Sequence, residues 1–107
     1  MAKAEKKGQW DGLRNVDRII HEPARLTLMT ILYAVDSADF LYLQREAGLT
    51  KGNLSAHLSK LEETGYIKIE KSFKGKLPHT LCKMTAEGVA AYAAYLKQLN
   101  EALGKAK

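Results

Sequence analysis

A stripe of leucines marks the middle of the chain. Three of them stand at i, i+4 and i+7, which puts them on one side of a helix: Leu54, Leu58 and Leu61. Thr50 can cap the first turn of that helix with its hydroxyl, and Gly65 can end it in a left-handed conformation. The pattern therefore predicts an amphipathic helix over residues 50–64.

A lysine-rich hairpin is predicted directly after this helix. Apolar and polar residues alternate over 66–71, which is typical of a half-exposed strand. Gly75 lies at the centre of a turn predicted over 72–78, and residues 80–84 can return as the second strand. The lysine-rich part of this hairpin, residues 68–80, is named the wing.

Two further helices are predicted before residue 50. Pro23 suits the first turn of one that runs to about Val35, and its core-facing residues would be Leu28, Ile31, Leu32 and Val35. Residues 36–39 supply a loop, and Asp39 can cap a short helix that Gly48 ends. The inward residues of that short helix would be Phe40, Leu43 and Ala47.

The two ends of the chain are predicted to be helical as well. Apolar residues fall on one side of a first helix: Trp10, Leu13, Val16, Ile19 and Ile20. Thr85 can cap a last helix over 86–103, which Gly104 ends. Residues 1–8 have no apolar period and are expected to form a disordered basic tail. We therefore expect one α+β, mostly helical domain over residues 9–104.

The charge of the chain is concentrated in its middle. The 107 residues include 17 basic and 12 acidic ones, which give a net charge of +5. Residues 45–83 hold eight Lys or Arg and four acids, and so carry +4 of that excess. A basic excess on the predicted helix and wing favours a polyanionic partner, although a solvated lysine-rich surface would give the same count.

Several functional classes are disfavoured by the residues present. Cys82 is the single cysteine, which excludes an intramolecular disulfide and a cysteine-based zinc cage within one chain. His21-Glu22 begins like a metalloprotease motif, but Arg25 stands where the second histidine ligand is required. We expect no enzymatic activity and no cofactor. With no membrane-length apolar run and no signal-peptide pattern, we also expect a cytoplasmic protein.

Several short strings of the chain are shared with one protein family. They lie between residues 20 and 88: Ile20-His21-Glu22-Pro23-Ala24-Arg25-Leu26, Asp39-Phe40, Gly48-Leu49-Thr50-Lys51-Gly52-Asn53-Leu54-Ser55, His57-Leu58, Leu61-Glu62, Gly65-Tyr66-Ile67 and Met84-Thr85-Ala86-Glu87-Gly88. Through them the chain resembles the small, single-domain winged helix-turn-helix transcriptional regulators of the MarR/ArsR-like group. The resemblance implies a winged helix fold with a wing of two or three strands. It also implies a dimeric DNA-binding repressor or activator, and leaves open whether a small-molecule effector exists.

One departure from that group concerns metals. Metal sensors of the ArsR type carry a cysteine-rich motif on the DNA-reading helix or paired His and Asp ligands on the last helix. The last predicted helix has no histidine, and residues 50–64 offer only His57. We therefore expect no metal requirement.

Residues 50–64, the reading helix, would turn small and polar side chains away from the leucine stripe. Steps of about 100° per residue put Gly52, Ser55, Ala56, Ser59 and Lys60 on that side. Small residues let a helix approach base edges closely, and Asn or Ser can hydrogen-bond to them. The expected DNA contacts are Thr50, Lys51, Asn53, Ser55, Ala56, Ser59 and Lys60. The alternative is an ordinary solvent-exposed face.

The wing would add Lys71, Lys74 and Lys76 as contacts to phosphates or to the minor groove of double-stranded DNA. The alternative is a solvated turn whose lysines keep the strand edges from aggregating. For His57, two roles stay open: a partly buried structural side chain or a phosphate contact.

A homodimer is expected from the terminal helices. Residues 89–96 are apolar all round, which one small core cannot fully bury. The expected interface combines Trp10, Leu13, Val16 and Ile20 with Val89, Tyr92, Ala93, Leu96, Leu99 and Leu103. The alternative is a last helix that covers only the core of its own domain. A winged helix used for protein contacts in a transcription or chromatin assembly is the competing function.

Overall fold

The computed structural model describes residues 11–105. Its helices are α1 (Asp11–Arg14), α2 (Pro23–Val35), α3 (Phe40–Ala47), α4 (Lys51–Thr64) and α5 (Ala86–Gly104). Its strands are β1 (Ser37–Asp39), β2 (Ile67–Lys74) and β3 (Leu77–Met84), and they form an antiparallel sheet in the order β1-β3-β2. The α+β, mostly helical class is confirmed. The tail expected at residues 1–8 and the side chain of Trp10 lie outside the described residues.

A single core joins α2, α3, α4 and α5 to the sheet. The leucine stripe of α4 is buried as predicted, since Leu54, Leu58 and Leu61 are at most 2% exposed. These leucines pack in one hydrophobic cluster with Leu28 and Leu32 of α2, Leu43 of α3, Ile67 and Cys82 of the sheet, and Tyr92 and Tyr95 of α5. The core thus lies directly behind α4 and holds its opposite face toward solvent.

The predicted first helix is wrong beyond Arg14. The carboxylate of Asp17 accepts hydrogen bonds from the backbone N–H groups of Ile19 (2.8 Å) and Ile20 (3.2 Å). A short acidic side chain that bonds to the backbone in this way favours a turn over a continued helix. The chain therefore turns after α1, and Val16 and Ile20 enter the core of the domain.

The prediction for α2 is correct in extent and partly wrong in orientation. Leu28 and Leu32 are buried, but Met29 is buried as well, and Val35 is 43% exposed. The buried face is thus rotated toward Met29, which moves Val35 away from the core at the last turn. Asp36, with a φ of 68°, then directs the chain into β1, where a loop was predicted.

The hairpin is longer and its turn tighter than predicted. The register Ser72↔His79, Phe73↔Pro78 and Lys74↔Leu77 leaves only Gly75 and Lys76 in the turn. Gly75 adopts a φ of 63°. The first position of such a two-residue hairpin turn requires a positive φ, which favours glycine. Pro78 is tolerated in the ladder because β1 pairs with β3 only at residues 81–83, so one side of the strand is open there.

Candidate nucleic-acid interface

Local capping signals set the geometry of α3 and α4. The Asp39 carboxylate accepts the N–H of Tyr42 at 2.8 Å, and the Thr50 hydroxyl accepts the N–H of Asn53 at 3.1 Å. Gly48 ends α3 in the left-handed region at a φ of 66° and Gly65 ends α4 at 91°. The predicted caps and stops are confirmed. They form a helix-turn-helix in which a three-residue connection fixes the direction of α4.

The outer surface of α4 is small, polar and open. The five residues predicted to face away from the leucine stripe are exposed, and so are the predicted contacts Thr50, Lys51 and Asn53: the five are Gly52, Ser55, Ala56, Ser59 and Lys60. The helical step divides them into two groups. Lys51, Ser55 and Ser59 form a row on the side of the wing, and Asn53 lies on the opposite flank beside His57.

A groove of about 500 Å³ separates α4 from the wing. Four predicted contact residues line it together: Lys51, Ser55, Ser59 and Lys71. The other six predicted contacts are not among the lining residues: Thr50, Asn53, Ala56, Lys60, Lys74 and Lys76. The groove also includes Gln44 and Asp39 from the α3 region and His79 from β3, which sequence reasoning did not select. Only the tertiary fold brings these three residues beside α4.

The positive charge of the hairpin is concentrated toward its tip. Lys68 and Lys83, near the base, are 3.8 and 3.3 Å from the carboxylate of Glu70. Within the described residues, Lys71, Lys74 and Lys76 take part in no ion pair, and residues 71–80 include no acid. Internal pairing thus compensates charge at the base, while the tip offers exposed ammonium groups to an anion.

Glu62 connects α4 directly to the wing. Its carboxylate accepts the backbone N–H of Ile69 at 3.0 Å, an amide on the outer edge of β2. An edge strand presents unpaired donors, and here one of them is satisfied by the helix. This bond connects the C-terminal part of α4 to β2 beside the groove, which Ile69 lines.

The other flank of α4 is connected to α2. Nη1 of Arg25 lies 3.2 Å from Nδ1 of His57, and Nε of Arg25 donates to the carbonyl of Ile19 at 2.6 Å. Glu22 caps α2 by accepting the N–H of Arg25 at 2.7 Å and lies 3.8 Å from His57. Burial alone would raise the pKa of Glu22. Hydrogen bonds from the backbone N–H groups of Arg25 and Ala24, together with the charges of His57 and Arg25, outweigh burial, so the pKa lies below its ordinary value. His57 is therefore half-buried in a polar cluster that holds α4 in place.

The end of α4 is joined to the start of α5. Thr85 donates its hydroxyl to the carbonyl of Gly65 at 2.6 Å and its N–H to the carbonyl of Tyr66 at 3.1 Å. The Tyr66 hydroxyl donates to the Asp17 carboxylate, and burial together with this acid raises the pKa of Tyr66 to about 12. A Cβ at Gly88 would lie 2.1 Å from the Tyr66 carbonyl oxygen, so only glycine allows α5 to start this close.

The predicted dimer seam is divided by the structure. Tyr92 is 5% exposed and Leu99 packs against the core, so these two, like Val16 and Ile20, serve the domain itself. The expectation that Val16, Ile20 and Tyr92 form an intermolecular surface is therefore wrong, because the core already covers them. Among the described residues, the other predicted interface residues are exposed: Leu13, Val89, Ala93, Leu96 and Leu103.

The exposed residues of α5 form a separate apolar stripe. Val89, Ala93, Leu96 and Leu103 lie about 100° around the helix from the core-facing residues. Lys97 and Glu101 occupy the third side. Within the part of the chain that the structure describes, no helix is both long and apolar enough to cross a membrane.

Comparison with known proteins agrees with this geometry. A family described as a winged helix DNA-binding domain matches residues 24–103. An uncharacterized protein of Methanocaldococcus jannaschii is 35% identical over 83 residues, which cover 77% of this chain and 89% of that protein.

Two solved structures share the fold. The transcriptional regulator homologue of Pyrococcus horikoshii is 28% identical with a TM-score of 0.82, over 88% of this chain and 95% of that one. A protein of Enterococcus faecalis that is assigned to the MarR family of transcriptional regulators is 21% identical with a TM-score of 0.72. The match covers 99% of this chain and 93% of that one. The winged helix fold is thus confirmed, and a MarR-family regulator shares it.

Proposed function

We propose that this chain, which belongs to the winged helix DNA-binding domain family, is a sequence-specific, double-stranded DNA-binding transcriptional regulator. In this proposal it is a repressor that acts as a homodimer in the cytoplasm. The observation that carries it is the pairing of an exposed small-residue face on α4 with a cationic wing across one groove. The two sides of that groove are joined by the Glu62–Ile69 hydrogen bond, so they can meet DNA as one preformed surface.

The outer face of α4 would read bases in the major groove. Asn53, Ser55 and Ser59 offer hydrogen-bonding groups, and Ala56 offers a methyl contact to thymine. We expect replacement of Asn53 or Ser55 by Ala, or of Ala56 by Ser, to change the preferred base at one or two positions. The preferred site should lose about 1–3 kcal/mol of binding free energy. Selection from random duplexes measures this, and unchanged preference in every variant would show that α4 does not read bases.

The wing would supply affinity that does not depend on sequence. We expect Lys74→Ala and Lys76→Ala each to weaken all duplexes about equally, and to reduce the slope of log K against log salt by roughly one unit. Lys97→Ala removes an exposed lysine of α5, outside α4 and the wing, and is the matched control. Equal slopes for the wing variants and wild type would mean that the wing does not touch phosphate.

A second copy of the chain would cover the exposed stripe of α5. Apolar side chains at Val89, Leu96 and Leu103 are 37–50% exposed and stand on one line of the helix. We expect sedimentation equilibrium to give a dimer at micromolar concentration, and Leu96→Glu to give a monomer. Ala94→Glu, on the charged side of α5, is the control and should stay dimeric. A monomeric wild-type chain would contradict the dimer.

A two-fold dimer has a consequence for the DNA site. It presents two copies of α4, so the site should be an inverted repeat with half-sites about one helical turn apart. Footprinting that protects a single unrepeated half-site would rule out symmetric binding. If the wild-type chain shows no salt-sensitive mobility shift at low ionic strength, the competing protein-contact function is favoured instead.

A further inference from the structure

The tip of the wing carries two of the most exposed hydrophobic side chains in the described part of the chain. Phe73 is 72% exposed and Leu77 is 71% exposed. Phe73 pairs with Pro78 and Lys74 pairs with Leu77, so the two apolar side chains point to opposite faces of the hairpin. The tip is therefore a blade with an apolar residue on each side.

The surroundings of these two residues limit the kind of partner. Lys74 and Lys76 flank them, and residues 71–80 include no acid. A partner must therefore combine negative charge with a surface that accepts apolar groups. The minor groove of DNA does so, because phosphates border walls made of sugars and the edges of stacked bases.

The dimensions of the tip do not match an undeformed minor groove. Two paired strands lie about 4.8 Å apart before their side chains are added, whereas the minor groove of B-DNA is about 6 Å wide. The blade is also stiff, since its turn has only two residues and Pro78 fixes one backbone angle. Entry of this tip would widen or kink the DNA more readily than it would deform the hairpin.

We propose that Phe73 and Leu77 form an apolar wedge that enters the minor groove beside the major-groove site and opens it. This inference rests on the proposed DNA-binding function and adds an indirect component to its specificity. Deformable pyrimidine–purine steps are opened at lower free-energy cost than stiff A-tracts. Binding therefore favours sites whose wing-side flank contains a TA step, although no side chain reads that step by hydrogen bonds.

The experiment uses a duplex selected from random sequences with the full-length wild-type chain. Hydroxyl-radical footprinting locates the base pairs under the wing, and two versions of the duplex carry a TA step or an A-tract there. Affinity is measured for wild type, Phe73→Ala, Leu77→Ala and Lys74→Ala. Energy transfer between dyes at the duplex ends reports bending. Circular dichroism confirms that the variants fold, as is expected for residues this exposed.

The wild-type chain is expected to prefer the TA duplex by about tenfold and to bend it. Phe73→Ala and Leu77→Ala should lose most of that preference and much of the bend, with an unchanged salt slope. Lys74→Ala should keep the preference and lose about one unit of salt slope.

Two results would overturn the wedge while leaving the proposed function intact. One is wild-type step preference and bending in both apolar variants. The other is a loss of dimer in those variants, measured by sedimentation, with DNA bending unchanged; the tip would then contact protein. A wild-type chain that binds no duplex would instead overturn both the wedge and the proposed function.

Discussion

Replacing Gly88 by Ala tests how α5 is seated on the rest of the domain. The added Cβ would lie 2.1 Å from the Tyr66 carbonyl oxygen, 2.9 Å from its carbon and 3.2 Å from Cγ of Met84. To reach even 3.0 Å from that oxygen, the helix start must move by about 0.9 Å. The obstacle is backbone, so it cannot rotate away as a side chain would. The same carbonyl accepts the N–H of Thr85, and this bond is strained by any shift.

The expected loss of stability follows from three contributions. Overpacking typically costs about 1–3 kcal/mol, and weakening of the Thr85 bond adds up to about 1 kcal/mol. The higher helix propensity of Ala returns about 1 kcal/mol. We therefore expect Gly88→Ala to lower the free energy of unfolding by about 2 kcal/mol. The melting temperature should fall by roughly 8–16 °C for a domain of this size.

Urea unfolding followed by circular dichroism at 222 nm measures this change. Gly52→Ala is the matched control, because it also places Ala in a helix but its Cβ would have nothing within 4 Å. The control should be unchanged or more stable by up to about 1 kcal/mol. If Gly88→Ala unfolds at the same urea concentration as wild type, the close contact between α5 and Tyr66 is refuted.

Three further predictions concern the groove, alkaline pH and metals. Glu62→Ala should speed hydrogen exchange at the Ile69 amide, whereas Glu62→Gln should largely preserve the protection of that amide. Equal exchange in wild type and both variants would mean that the Glu62 side chain does not hold β2. Burial raises the pKa of Tyr66 to about 12 and that of Cys82 to about 11, so the folded chain keeps these protons after the unfolded chain has released them. The contribution of these two groups to the free energy of unfolding should thus be fully present below about pH 9 and be lost as pH rises toward 12. The loss should be less steep in Tyr66→Phe. Urea midpoints that stay constant from about pH 9 to 11 would contradict this. DNA binding and folding should survive chelators, and stoichiometric zinc in the purified protein would overturn that expectation.

The parts of the fold that could be predicted from sequence are those set by nearby residues. The caps at Asp39, Thr50 and Thr85 bond to amides three residues later, so their signals lie within one turn. The leucine stripe of α4 is likewise a local period, and it fixed the outward face of the helix correctly. Local information therefore sufficed for the helix-turn-helix.

The features that were missed depend on distant partners or on competing local signals. Strand β1 has only three residues and exists because β3, more than forty positions later, pairs with it. Gln44 and His79 meet at the groove only after the sheet has formed. The error at Val16 and Ile20 has another cause, since a helical period and a turn-forming Asp17 compete there, and the turn prevails.

Because of the position of β3 in the sheet, the base of the hairpin resists opening more than its outer half does. At residues 81–83, β3 has a neighbour on each side, whereas residues 77–80 pair with β2 alone. Opening the base requires breaking two ladders and exposing Cys82, which is fully buried. Opening the outer half breaks one ladder and uncovers almost no core. If the otherwise stiff hairpin unfolds locally, the opening should therefore begin at Gly75 and stop near Thr80, and the domain behind it should stay folded.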